Sequence, residues 1–145
     1  LITALGASGD ASRGEVIVAK IRDLAVDADL SHCRAVGEAC ERLPLPAAAS
    51  ALAGLLESPG MAGHHQHEVA TACAVVDPDP CDNLARNRCL RELHLARALY
   101  RVGDHGGIGE RILRAYASDL RAHYARHAQA VLGAPARPAA RASAA

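Results

Sequence analysis

Three histidines, His64, His65 and His67, stand close together, with Glu68 beside them and Cys73 and Cys81 downstream. Imidazole, carboxylate and thiolate are the groups that hold zinc, so this cluster is the first place to look for metal chemistry. Its spacing matches no zinc finger, and Cys73, Cys81 and Cys89 form no C-x-x-C pair. The plainer reading is a polar loop rich in His.

A second pair, His123 and His127, is spaced i and i+4 and shares one side of a helix. A hydrolytic zinc helix needs Glu directly after the first His; here that residue is Tyr124, and no third ligand is evident. This predicts a solvated or interface-facing pair rather than a catalytic one. Gly103, Gly106, Gly107 and Gly109 imitate a phosphate-cradling loop, but such a loop follows a strand, whereas this one follows a helical stripe. Turn chemistry accounts for these glycines instead. No Ser or Cys has a base partner in the sequence that would make it a nucleophile, so no catalytic residue is assigned.

The elements that must carry these residues repeat. Ala4-Leu5, Gly9-Asp10, Gly14 and Val16-Ile17-Val18 are echoed by Ala98-Leu99, Gly103-Asp104, Gly109 and Ile112-Leu113. A fainter copy uses Ala39, Leu43, Pro44, Ala47 to Ala49, Leu52, Leu55 and Leu56. Gly9 and Gly103 can close a helix in a left-handed conformation, and Asp10 and Asp104 can cap the amides that open the next one. Residues 4 and 39 lie 35 apart, near the roughly 40 residues of HEAT-type helix pairs. Residues 39 and 98 lie 59 apart, so an insertion is expected at 58–86.

Helices are predicted over 14–26, from a cap at Asp29 or Ser31 to Arg42, and over 47–57, 87–102, 107–117 and 119–132. A short one is placed near 68–76 within the insertion. Val16-Ile17-Val18 alone suits a strand, but the stripe Ile17, Ile21, Leu24, Ala25 decides for helix. The expectation is an all-α, HEAT-like helical-hairpin solenoid of about six or seven helices forming one domain, 1–132, followed by a disordered tail, 133–145. Leu1-Ile2 and Ala4-Leu5 read as the tail of a helix, which predicts that the chain begins inside a longer protein.

Composition agrees with that plan. Half of the 145 residues are apolar, with no Phe or Trp and three Tyr, so the core must be aliphatic and Ala-rich. Cys33 and Cys40, seven residues apart on one helix, are separated by about 10 Å along its axis, beyond disulfide reach. They fit as buried apolar groups, and the cysteine usage suits a reducing compartment. No apolar run is long enough to span a membrane.

Net charge is zero, but residues 1–85 hold five basic against twelve acidic side chains and the remainder eleven against four. A basic half can meet an anionic partner; the lack of base-stacking aromatics speaks against nucleic acid and for solvated faces or internal ion pairs. Arg91, Arg97, Arg101, Arg114, Arg121, His123 and His127 are the residues expected at an interface with another domain or protein.

The stretch from Pro59-Gly60-Met61-Ala62-Gly63-His64 onward has a familiar wording. With Arg91-Glu92-Leu93, Leu95 to Arg101, Gly103-Asp104, Ile112 to Tyr116, Asp119-Leu120-Arg121 and His123 to His127, it resembles the helical C-terminal region of bacterial FAD-dependent oxidoreductases. The resemblance implies an accessory, non-catalytic module that binds no cofactor itself, with FAD held by an upstream Rossmann domain. No flavin-contacting residue is implied for this segment. The alternative is a stand-alone HEAT-like protein–protein interaction scaffold.

Overall fold

The computed structural model describes residues 1–43, 45–74 and 83–134. They form eight α-helices: α1 (Ile2–Ala7), α2 (Gly14–Arg22), α3 (Leu30–Arg42), α4 (Pro46–Glu57), α5 (Val69–Ala74), α6 (Leu84–Val102), α7 (Ile108–Ala117) and α8 (Ala122–Gly133). Single 3-10 turns, Ala11–Arg13 and His105–Gly107, precede α2 and α7. No strand occurs among the described residues, and Val16-Ile17-Val18 lies inside α2. The count exceeds the expected six or seven by α1, the segment that the sequence offers only as the tail of a helix. The tail expected over 133–145 falls largely outside the described residues.

Packing follows chain order in two rows. α1 packs on α3, α3 on α6, and α6 touches α8; α2 packs on α4, and α4 touches α7. Contacts of α2 with α3, α4 with α6, α6 with α7 and α7 with α8 join the rows. α6 is the hub, and its Leu93, Leu95, Ala96, Ala98 and Leu99 are all buried. With Ile17, Ile21, Cys33, Val36, Leu52 and Leu113 they form one aliphatic core. Burying such a Leu contributes about 1.5–3 kcal/mol, so this core rather than helix propensity holds the short helices in place.

The Gly-Asp corners separate helices as their residue types require. Gly9 has φ 70° and Gly103 φ 133°, conformations that glycine adopts without a Cβ penalty. Asp10 accepts from the Ser12 N–H at 3.0 Å and caps the 3-10 turn. Asp104, itself left-handed at φ 44°, accepts from the Gly109 N–H at 2.6 Å and the Glu110 N–H at 3.1 Å, so it caps α7.

Several expectations need correction. Turn chemistry explains Gly103, Gly106 and Gly107, but not Gly109, which has no left-handed φ. A Cβ there would lie 2.8 Å from the Ala96 carbonyl oxygen and 2.8 Å from the Tyr100 nitrogen, so Gly109 lets α7 lie against the backbone of α6. Asp29 occupies the N-cap of α3 without a side-chain capping bond; its carbonyl accepts from the His32 N–H instead. α2 stops at Arg22, short of residue 26, and α8 starts only at Ala122 because Asp119 to Arg121 form a corner.

Candidate functional site: a histidine-rich strap on buried carboxylates

Residues 60–68, a turn followed by irregular chain, run as a strap against α6, α7 and the α7–α8 corner, and α5 follows it. Two buried acids tie it down. Glu92, on the apolar stripe of α6 with Leu95, Ala96 and Leu99, is only 1% exposed. Its Oε1 accepts from the Gly63 N–H at 2.9 Å; its Oε2 accepts from the His64 N–H at 2.9 Å and the Tyr116 hydroxyl at 2.8 Å. Asp119, 5% exposed, accepts from the Gln66 N–H at 2.9 Å, while the Leu120 N–H donates to the Gln66 carbonyl at 2.9 Å. Backbone groups that leave water must find partners, and here carboxylates on the helices supply them.

Arg121 closes the network. It reaches Asp119 through both carboxylate oxygens, Nε to Oδ1 at 2.9 Å and Nη2 to Oδ2 at 2.7 Å. The same guanidinium donates to the His64 carbonyl at 2.8 Å and the Cys89 sulfur at 3.1 Å, and lies 4.6 Å from the centre of the Tyr124 ring. Burial alone would raise the Asp119 carboxyl, but hydrogen bonds from Arg121 and the Gln66 N–H outweigh it and hold it below the ordinary carboxylate value. Bonding to Asp119 shifts Arg121 upward. Burial, reinforced by the Glu92 charge, raises Tyr116, so its phenol stays a donor.

The three histidines are therefore parts of a tether. His64 Nε2 contacts the Gly60 carbonyl at 3.0 Å, and His67 Nε2 contacts the Ala115 carbonyl at 2.7 Å. The His65 ring meets His67 at 4.7 Å and the edge of Tyr116 at 5.9 Å between centroids. Among the described residues no three His, Cys, Asp or Glu side chains converge as metal ligands. Cys81 lies outside the described residues, and Cys73 is exposed on α5.

The arginines expected at an interface divide. Arg91, 8% exposed, donates to the Ala28 carbonyl at 2.7 Å and belongs to the interior. Arg121 is committed to the strap. Arg97 bonds Glu41 of α3 at 2.6 Å, and Arg101 pairs with the other oxygen of the same carboxylate. Arg114 pairs with Glu110 along α7. Internal pairing, the plainer of the two expectations, describes most of them; Arg91 is buried and Arg121 is half-buried against the strap.

His123 is exposed, its ring 3.9 Å from Tyr124, whereas His127 is half-buried against His94 at 6.3 Å. His123 and His127 thus differ in exposure. Burial, with Arg97, Arg34 and His127 adding like charge and Glu41 opposing, pushes His94 down to about 4. Its buried Nδ1 has no hydrogen-bond partner. Burial also raises Cys33 and takes Cys40 up to about 12, so both stay unreactive thiols.

Glu92, Tyr116 and Asp119 were not singled out as site residues from the sequence. One signal was available: Glu92 is the sole acid in α6 and falls on its apolar stripe. The class these features define is an all-helical protein with a strap anchored by interior carboxylates. Comparison with protein-family models, curated proteins and solved structures finds no match to this chain.

Proposed function

We propose that this chain is a non-catalytic helical-repeat module of HEAT type, the accessory C-terminal part of an FAD-dependent oxidoreductase whose flavin is held upstream. The observation that carries the repeat reading is the packing order: with α5 set aside, successive helices alternate between a row of α1, α3, α6 and α8 and a row of α2, α4 and α7. Stacked helical pairs produce that alternation. The strap supports the non-catalytic part, because the His64 and His67 imidazoles and both buried carboxylates engage backbone groups of the chain itself. The oxidoreductase part rests on the wording of residues 59–127.

Contact with the parent domain would then use the exposed ones among the residues expected at an interface, Arg101, Arg114 and His123. No helix among the described residues is long and apolar enough to cross a membrane.

The full-length coding sequence and a flavin titration test this together. The expected results are a strand, Gly-rich turn and helix encoded upstream in the same reading frame, and no saturable quenching of FAD fluorescence by residues 1–145. Saturable quenching would contradict the assignment of the flavin to another domain. An upstream region without a nucleotide fold would leave the stand-alone scaffold as the better account.

A further inference from the structure

The tethering network leaves one thing over, a cavity of about 290 Å³ between α4, α7 and the strap. Leu56, Ala62, Ile108 and Ile112 form apolar walls, and Glu92 is among the residues that line the same space. Glu57 and Arg111 stand among its lining residues with opposite charges.

Glu92 is unusual in its company. Its three donors, two backbone N–H groups and a phenol, are all neutral, and no salt bridge joins it to a basic side chain among the described residues. A carboxylate removed from water without a cation is costly, and a cation brought to it inside a low-dielectric site interacts strongly. Each carboxylate oxygen can accept about two donors, and Oε1 accepts only the Gly63 N–H, so one acceptor position remains on the oxygen. The apolar walls offer nothing to a hydrated inorganic cation, which needs several oxygen ligands. They suit an organic cation with a short hydrocarbon body.

We infer that this cavity binds a small primary alkylammonium ion, whose N–H donates to Glu92 Oε1 while its alkyl chain lies against Leu56, Ile108 and Ile112. The inference does not depend on the oxidoreductase reading, since it uses only residues of this chain.

The test is titration of the isotopically labelled chain with n-butylammonium chloride and, separately, with 1-butanol at neutral pH, following the backbone amides of Gly63, His64 and Ile112. The ammonium should give saturable shifts at those amides, and the alcohol should bind about ten-fold more weakly or worse, because only the ammonium makes a charge-assisted bond. Ile112→Phe on α7 and Ala62→Leu on the strap each fill the cavity and should abolish the shifts while keeping the wild-type spectrum elsewhere. Absence of saturation, equal affinity for the two probes, or full-strength binding in a plugged variant that retains the fold would overturn the inference.

Discussion

Single side chains decide two kinds of outcome here, strain and desolvation. Gly103→Val forces a β-branched residue to φ 133° and should cost about 1–3 kcal/mol, whereas His123→Ala on the exposed face of α8 should stay within about 0.5 kcal/mol. Denaturant midpoints of the two variants check this; equal midpoints would mean that the α6–α7 corner does not need its left-handed residue. Removing Asp119 leaves the Gln66 N–H without its acceptor and Arg121 without its carboxylate partner, so Asp119→Ala should cost about 2–3 kcal/mol. The pH dependence at His94 has a definite sign. Its folded pKa, about 4, lies below the ordinary 6.5, so between these values the unfolded chain binds more protons and stability falls as pH is lowered through that window. Arg97, Arg34 and His127 would oppose the new charge and Glu41 would favour it. His94→Leu should flatten the stability profile between pH 6.5 and about 4; an unchanged slope would count against a neutral, buried His94.

At the scale of elements, the glycines separate turn requirements from packing requirements. Gly109→Ala places a Cβ 2.8 Å from the Ala96 oxygen and should drive α7 off α6, at about 1–3 kcal/mol. Gly54→Ala, mid-helix in α4 with open space around the new Cβ, should instead stabilise by about 0.5–1 kcal/mol. Thermal unfolding of both variants distinguishes the two roles, and a shared sign would refute the close-approach account of Gly109. The helices themselves were legible because their stripes recur at helical spacing, as Leu95, Ala98, Leu99 and Val102 do. The Gly-Asp corners were legible because so few residue types suit them. Boundaries drifted where periodicity continues past a capping residue, as at Asp23, which ends α2 although Leu24 keeps the stripe going. The role of Gly109 was not legible, since a close backbone approach leaves no local mark distinct from a turn.

Across the whole molecule, the candidate site was half legible. Its location, in the insertion between the second and third copies of the repeated phrase, followed from spacing alone. Its chemistry did not, because the partners of the histidine segment lie 28 to 57 residues further along the chain, at Glu92, Ala115, Tyr116, Asp119 and Arg121. Composition shows which groups can bind a metal; only tertiary placement shows that the strap backbone meets the carboxylates of α6 and the corner. The strap ties α6, α7 and the α7–α8 corner together at once. The most direct test of this account is native-state hydrogen exchange at the strap. The amides of Gly63, His64 and Gln66 should exchange with protection close to that of the α6 core, and Asp119→Ala should release Gln66 selectively. Exchange at the rate of an unstructured peptide in the wild-type protein would show that the buried acids do not hold the strap, and the account would fail.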